Sequence, residues 1–291
     1  QMHFDARGAI SNLRVITQGA FDEPTGEGHA ELQVRAVGLN FRDVLNVLGA
    51  YPGDPGAPGS DCAGIVSALG AEMERLRVGD MALGHGLAAL SSLSRTDARL
   101  VAAIEGSLTF EEACTLPTTW STVHLSMLTS HPRNGHRVLL HAGAGGVGLA
   151  ASEYAHWLCA RVCTTVGKPY KHYYLHALGL RGQTLSSRDG GAFAAGLSQL
   201  LRGSRLRVVL NSLSSDFIAC SFALMGEDGR LGEIGKRAVY SQQRRAAAAP
   251  LAEYHVIALD STMEACPWWM QQTLQLRSAR GRARVLPARP P

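Results

Sequence analysis

The chain has 291 residues, of which 46% are hydrophobic and 18% are charged, and its formal net charge is +4. This composition predicts a folded chain of one or two domains with a sizeable core, and it excludes intrinsic disorder. Basic residues are scattered through most of the chain, so we predict no nucleic-acid partner. No apolar stretch is long enough to predict a membrane span.

The chain from Leu32 to about Leu128 is rich in turn residues. Residues 31–39 alternate as a half-buried strand does, residues 51–60 are dense in Gly and Pro, and residues 78–80 predict a hairpin turn. We therefore expect a β-rich first domain over residues 1–125.

A glycine-rich run, residues 141–148, lies between the apolar residues 137–140 and an alanine-rich segment. This pattern predicts a strand, a tight turn and a helix start, and it contains the spacing G-x-G-x-x-G of dinucleotide-binding folds. Amide groups at the helix start would hold the phosphates. A purely structural turn is the alternative interpretation. The predicted cofactor residues of this run are Gly143, Gly145, Gly146, Val147 and Gly148.

After Arg137, short apolar runs alternate with helix-length amphipathic segments, which predicts a parallel sheet with right-handed crossovers. We expect an α/β fold with a doubly wound (Rossmann) domain over residues 126–254, and a ligand at the carboxyl ends of its strands. The predicted strands are residues 137–140, 161–167, 184–188, 207–211 and 230–235. The predicted helical segments include 175–180, as the end of a helix, and the helices 192–201 and 217–225.

The residue that follows the second predicted strand indicates the cofactor. Folds that select NAD place an acidic residue there, about 20 residues after the glycines. This chain has Gly167-Lys168, and a cation at that position would neutralise the 2′-phosphate of NADPH. Arg188, at the end of the third predicted strand, is a second phosphate ligand by the same reasoning. An ordinary surface lysine is the alternative for Lys168.

The six cysteines include no C-x-x-C pair, and neither they nor the histidines have the clustered spacing of metal ligands. We therefore predict reduced thiols, no metal site and a cytoplasmic location.

Towards the end of the chain, the alanines of residues 246–249 precede Pro250 and predict a linker, and residues 254–260 predict one more strand. We expect residues 255–291 to return to the first domain. Arginines crowd the last part of the chain and fit a solvated tail better than a site for an anionic partner: Arg277, Arg280, Arg282, Arg284 and Arg289.

Five ordered blocks together carry a family resemblance. They are residues 38–45, 48–53, 141–151, 210–213 and 233–236. In combination they resemble the enoylreductase domains of modular polyketide synthases, and the enoylreductase of animal-type fatty acid synthase is similar over the same blocks. These domains belong to the zinc-free branch of the medium-chain dehydrogenase/reductase superfamily, so the resemblance implies a GroES-like substrate domain beside the Rossmann domain.

The resemblance implies reduction of the α,β-double bond of an enoyl thioester, carried on an acyl carrier protein, with hydride from NADPH. It also implies neighbouring domains of a megasynthase as partners. The chemistry needs a bound nicotinamide, polarisation of the thioester carbonyl and a proton source for the α-carbon.

Three residues match proposed catalytic positions of the family. Lys171 matches a lysine proposed as proton donor or enolate stabiliser, and Asp189 matches the carboxylate expected to hold it. Lys168 competes with Lys171 for either role. Tyr51 matches a tyrosine linked to stereochemistry at an α-methyl branch, which implies the S configuration in the product. For all three, ordinary structural roles are the alternatives.

Three further residues are expected near the cofactor. Asn40 matches a position that lines the nicotinamide and substrate cleft, Asn211 follows the fourth strand, where its amide can meet the cofactor, and Lys236 follows the fifth strand near the nicotinamide half. Arg42 and Asp43, next to Asn40, are expected to form a structural ion pair as readily as to act on substrate.

The sequence departs from the family pattern in three places. The segment of residues 84–96 is shorter and richer in serine than the family's usual loop, which bears on the substrate entrance. Asp61 replaces the usual glutamate, which is expected to move a contact near the substrate cleft, and a final helix and strand of the family are not found by residue 291. Their loss would expose an unpaired sheet edge. Two other functions stay open on the sequence alone: a stand-alone quinone or enone reductase, and a non-catalytic domain that serves interactions.

Overall fold

The computed structural model describes residues 1–21, 23–71, 75–179, 183–213, 216–235 and 239–282, with the side chains of all of these except 183 and 278–282. The chain forms two compact units. The first comprises Gln1–Ser121 with Leu259–Pro291, and the second comprises Thr122–Ala258. The predicted limits, at 125/126 and 254/255, differ from these by a few residues.

Strands dominate the first hundred residues, and helices alternate with strands after that. The strands, in chain order, are β1 (Met2–His3), β2 (Arg14–Val15), β3 (His29–Gly38), β4 (Asp61–Leu69), β5 (Met81–His85), β6 (Leu93–Asp97), β7 (Val101–Ala103), β8 (Arg137–Leu140), β9 (Arg161–Val166), β10 (Gln183–Ser186), β11 (Leu206–Asn211), β12 (Met225–Glu233) and β13 (Glu253–Val256). The helices are α1 (Phe41–Val47), α2 (Phe110–Ala113), α3 (Pro117–Ser130), α4 (Gly146–Trp157), α5 (Pro169–Ala177), α6 (Gly190–Leu201), α7 (Asp216–Leu224), α8 (Gln242–Ala248), α9 (Leu259–Ala265) and α10 (Pro267–Arg282).

The first unit is built on a five-stranded antiparallel sheet of order β6-β3-β4-β5-β7. Gly64 is required where β4 pairs with β3, because a Cβ there would lie 2.2 Å from the Gln33 carbonyl oxygen. Met270 and Leu274 of α10 are buried in the same cluster as Leu83 and Ala102 of the sheet. Helix α10 therefore contributes to the core of the first unit.

The second unit is built on a six-stranded sheet of order β10-β9-β8-β11-β12-β13, and every neighbouring pair is parallel. In chain order this is 3-2-1-4-5-6, the order of the doubly wound dinucleotide-binding fold. Central strand residues such as Leu139 and Val209 are fully buried against Phe193 and Leu197 of α6. The predicted fold class, a Rossmann sheet beside a β-rich domain, is confirmed.

Two local predictions near the end of the second unit differ from the structure. Residues 246–248 lie in α8, where alanine is a strong helix former and the Ser241 hydroxyl caps the first turn by accepting from Arg244 N, so the linker prediction is wrong. The strand predicted over 254–260 ends at Val256, and Leu259 begins α9. Of the predicted helix over 175–180, the last residue, Leu180, lies outside the described residues.

Candidate functional site

The glycine run forms the predicted turn between β8 and α4. A Cβ at Gly143 would lie 2.6 Å from the Thr164 side chain, and a Cβ at Gly148 would lie 2.5 Å from the Ala142 carbonyl oxygen. Both glycines are therefore required by packing. Gly145, the N-cap residue of α4, differs, because a Cβ there would meet only the Ala142 oxygen, at 3.3 Å, among the described residues outside its own helix. The position of a Cβ at Gly145 is otherwise open within 4 Å.

His141, the first residue of the glycine-rich run, anchors this turn to the neighbouring elements β9 and α7. Its Nδ1 is 3.1 Å from Thr165 Oγ1 on β9, and its Nε2 is 2.9 Å from Ser221 Oγ on α7. Phe193 and Phe217 pack around the ring. Burial lowers the pKa of His141 to about 3, so the imidazole is neutral and links two elements under the cofactor turn.

Two basic residues, Lys168 and Arg188, follow the ends of the neighbouring parallel strands β9 and β10. Lys168 is the exposed N-cap residue of α5. The Arg188 side chain donates from Nε to the Gly167 carbonyl oxygen at 3.3 Å, because β10 runs parallel to β9 with Ser186 opposite Val166. This pair presents positive charge at the position that distinguishes the two nicotinamide cofactors.

The Asn211 side chain makes hydrogen bonds within the protein. It is fully buried at the end of β11, and its Nδ2 donates to Glu233 Oε2 at 2.6 Å and to the Leu213 carbonyl oxygen at 2.7 Å. Direct contact with a cofactor stays a prediction for Asn211. Lys236, the third predicted residue of this region, lies outside the described residues.

Glu233 is a site residue for which the sequence predicted no role. It ends β12 opposite Asn211, and its Oε1 accepts from Gly235 N at 2.7 Å. Burial raises its pKa to about 7. The available signal was an isolated acidic residue within the apolar run Leu231-Gly232-Glu233-Ile234. Glu233 ties together the loops that follow β11 and β12.

Lys171 and Asp189 are both described, and no ion pair joins them. Lys171 is half-buried in the first turn of α5. Asp189 is the N-cap residue of α6, and its Oδ1 accepts from Ala192 N at 2.8 Å. The carboxylate thus satisfies an otherwise unpaired amide of the helix start. A catalytic role for either residue stays a prediction.

In the first unit, Tyr51 donates its hydroxyl hydrogen to Asp260 Oδ2. Arg42 Nη1 lies 3.0 Å from Asp260 Oδ1, and the Arg42 guanidinium lies 5.2 Å from the centroid of the Tyr51 ring. The expected Arg42–Asp43 ion pair does not form. Asp43 instead accepts from the backbone amides of Asn40 and Gly59, at the start of α1.

Asn40 precedes α1 as its N-cap residue and is half-buried. Its backbone amide donates to Asp43 Oδ2 at 2.8 Å. The predicted contact of the Asn40 side chain with the nicotinamide stays a prediction.

Asp61, which the resemblance implies takes the place of a glutamate, is completely buried. It accepts from the Thr118 backbone amide at 2.9 Å and the Thr118 hydroxyl at 2.7 Å, and its Oδ1 is 3.3 Å from His85 Nδ1. Burial lowers the pKa of His85. The shorter acid therefore joins β4 to α3 and β5.

Among the described residues, no group of three or more His, Cys, Asp and Glu side chains is arranged to hold a metal ion. No helix in this part of the chain has the length and apolar character needed to cross a membrane.

Comparison with known proteins places this geometry in a family. Residues 26–126 match the alcohol dehydrogenase GroES-like domain. The chain is 36% identical over 230 residues to erythronolide synthase EryA2 of Saccharopolyspora erythraea, an alignment that covers 79% of this chain and 6% of that protein. The chain thus spans only a small part of the curated relatives it matches.

Two solved structures extend the comparison over the whole fold. CurK enoyl reductase superposes with a TM-score of 0.90 and is 31% identical, with 100% of this chain and 90% of that chain covered. Mycobacterial Rv1454c complexed with NADPH has a TM-score of 0.85 and is 25% identical, with 98% and 90% covered. The chain belongs to the enoyl reductase domains of polyketide synthases, within the medium-chain dehydrogenase/reductase superfamily.

Proposed function

We propose that the chain reduces the α,β-double bond of an enoyl thioester carried on an acyl carrier protein, with NADPH as the reductant. One observation carries the proposal: the space in front of α4 at Gly145 and the cation pair Lys168–Arg188 lie at the ends of adjacent strands of one sheet. The first suits a pyrophosphate and the second suits a 2′-phosphate.

The residues present fit the cofactor. Gly145 leaves the N-cap of α4 without a side chain, and no acidic residue follows β9 to favour NADH. Gly143, Gly145, Gly146, Val147 and Gly148 would hold the pyrophosphate, and Lys168 with Arg188 would hold the 2′-phosphate. Asn40, Asn211 and Lys236 are proposed for the nicotinamide half. When bound, NADPH supplies the hydride that adds to the β-carbon.

Side chains of the protein would stabilise the negative charge on the thioester oxygen and supply the proton for the α-carbon. As charge develops on the thioester oxygen, an ammonium group stabilises it, and we propose Lys171 for this role or for donation of the proton. Tyr51 is proposed to protonate the α-carbon of an α-methyl substrate, which would give the S configuration. Asp189 is proposed to lie near the reacting atoms, held in position as the N-cap residue of α6.

Lysine usage supports these roles. The chain contains only three lysines among its 28 basic residues, and all three, Lys168, Lys171 and Lys236, are at proposed site positions. Everywhere else the chain uses arginine. Because an ammonium group and a guanidinium group differ in proton donation, lysine at these positions is consistent with a chemical requirement.

The partners are proposed from the relatives. Erythronolide synthase EryA2 is much longer than this chain, which aligns with 6% of it. We propose that this chain receives its substrate from an acyl carrier protein, with neighbouring synthase domains as further partners.

The test is a titration of the purified chain with NADPH and NADH, followed by assays with crotonyl and 2-methylcrotonyl thioesters of pantetheine. We expect tighter binding of NADPH and turnover of the thioesters. Binding with reduction of quinones and no thioester turnover would replace the proposal with a quinone reductase. Absence of binding to either cofactor would contradict every oxidoreductase function for the chain.

A further inference from the structure

Tyr51, Arg42 and Asp260 form a closed cluster in the first unit. Arg42 lies in α1 and Tyr51 shortly after it, whereas Asp260 comes from the start of α9, more than 200 residues later. The two oxygens of the Asp260 carboxylate are divided between them: Oδ2 accepts from the Tyr51 hydroxyl and Oδ1 pairs with Arg42 Nη1 at 3.0 Å. A cation–π contact of Arg42 with the Tyr51 ring closes the triangle.

The cluster is partly desolvated. The side chains of Arg42 and Asp260 are 32% and 38% exposed, and Tyr51 is half-buried. Burial, and then the hydrogen bond to Asp260, raises the pKa of Tyr51 to about 12, while the charge of Arg42 acts in the opposite direction. His85 lies in the field of Asp260, Arg42, Asp43 and Asp61, and burial keeps it neutral. The phenol therefore stays protonated throughout the physiological range.

We infer that Asp260 is a positioning residue for Tyr51, which holds the phenol in place and protonated until it delivers its proton to the α-carbon. The inference rests on the proposed function. This role requires no contact of Asp260 with substrate or cofactor. The carboxylate acts through the hydroxyl of Tyr51, and Arg42 acts by holding the second oxygen of the same carboxylate.

The proton balance of the step is simple. The phenol rotates out of its hydrogen bond, its O–H bond breaks, and a C–H bond forms at the α-carbon of the enolate. The phenolate that is left lies beside a carboxylate, which repels it, and an acid of the solvent restores the proton. Arg42 offsets part of the negative charge during this interval.

The contact itself is testable without catalysis. The ultraviolet absorbance of tyrosine is titrated in the wild type and in Tyr51→Phe. The difference between the two curves isolates Tyr51 from the other tyrosines of the seven in the chain. We expect Asp260→Asn, measured against Asp260→Asn/Tyr51→Phe, to lower the pKa of Tyr51 towards its ordinary value of about 10. Asp97→Asn, which breaks the Asp97–Arg99 ion pair of the same unit, is the matched control and should leave Tyr51 unchanged. An unchanged Tyr51 titration in Asp260→Asn would overturn the inference.

The catalytic use of the contact is tested with 2-methylcrotonyl thioester. We expect Asp260→Asn to shift the α-carbon configuration in the same direction as Tyr51→Phe, and the double variant to be no worse than Tyr51→Phe alone. Asp260→Glu should recover part of the wild-type ratio of the two α-carbon configurations in the product. Independent, multiplicative effects of the two substitutions would contradict a positioning role.

The two proposals fail in different ways. If no variant, including the wild type, reduces the thioester, the proposed function fails while the titration still reports whether Asp260 controls Tyr51. If the wild type reduces the thioester and Tyr51→Phe keeps its rate and configuration, the catalytic part of this inference is overturned.

Discussion

The guanidinium of Arg188 lies against the backbone of Gly167, so closely that a Cβ on Gly167 would be 2.8 Å from Arg188 Nε. Glycine at the end of β9 thus makes room for the cation of the neighbouring strand. The contact places Arg188 beside Lys168, the next residue along the chain from Gly167.

We expect Gly167→Ala and Arg188→Ala to weaken NADPH binding by about tenfold each, which corresponds to about 1.4 kcal/mol, and to leave NADH binding unchanged within about twofold. The reason is that NADH lacks the 2′-phosphate. Lys168→Ala should behave in the same way. Nucleotide fluorescence titrations measure both affinities.

The control for this prediction is Arg205→Ala, which should leave both affinities unchanged. Arg205 precedes β11 at the amino-terminal edge of the same sheet and bonds the Ala223 carbonyl oxygen. Equal losses for NADPH and NADH in the Arg188 and Lys168 variants would indicate a general loss of the site, and would contradict recognition of the 2′-phosphate.

Alanine substitutions at Gly143 and Gly145 should have different effects, the first on folding stability and the second on cofactor binding. A methyl group at Gly143 would overlap the buried Thr164, so Gly143→Ala is expected to destabilise the second unit by about 1–3 kcal/mol. Gly145 has extended backbone angles that alanine adopts freely. Gly145→Ala should therefore fold normally and lose at least about tenfold in affinity for both cofactors.

Thermal unfolding and cofactor titration of the two variants, side by side, check this prediction. Normal cofactor binding by a folded Gly145→Ala variant would mean that the space before α4 is not where the pyrophosphate lies.

Glu233 should impose a pH dependence on stability. Its pKa is raised to about 7 in the folded chain, so between its ordinary value and pH 7 the folded state holds a proton that the unfolded state has lost. Stability consequently falls as pH rises through this window, by about 3 kcal/mol in total. Above pH 7 the Glu233 contribution is constant.

The measurement is the difference in unfolding free energy between wild type and Glu233→Gln at several pH values from 4.5 to 8. The difference cancels His141, whose low folded pKa works in the opposite direction below its ordinary value. We expect wild type to lose stability relative to the variant as pH rises. A flat difference would show that Glu233 titrates normally.

Asp189 should act in the structure as a helix cap. Serine is an equally good N-cap residue, so Asp189→Ser should keep wild-type stability, whereas Asp189→Ala should lose about 1 kcal/mol. Because no ion pair joins Asp189 to Lys171, we expect Asp189→Ser to keep thioester reduction within about twofold. Lys171→Ala should lower the rate by about 100-fold or more.

The small number of lysines allows a direct check. Reductive ¹³C-methylation would label only three lysine side chains, and Lys171→Arg assigns the signal of Lys171. If Asp189→Ser shifts the pH dependence of the Lys171 signal, Asp189 interacts with Lys171. Capping of α6 would then be only part of the role of Asp189.

Local sequence determined much of this protein. The glycine spacing, the strand–helix alternation and Lys168 predicted the Rossmann unit and its cofactor edge, because a turn between a strand and a helix depends on neighbouring residues alone. Turn residues and strand-like alternation predicted the β-rich unit, and the family resemblance implied its GroES-like type. The linker predicted over 246–249 failed because alanine suits a helix as well as a loop, and the Ser241 cap decides which forms.

Tertiary structure alone decided which polar groups meet. Asp260 reaches Tyr51 and Arg42 only because α9 returns to the first unit, and Glu233 reaches Asn211 only because β12 pairs with β11. The same holds for Arg42, which pairs with Asp260 and not with its sequence neighbour Asp43. Such contacts join residues distant in sequence, and their energies depend on burial and distance, which no local pattern specifies.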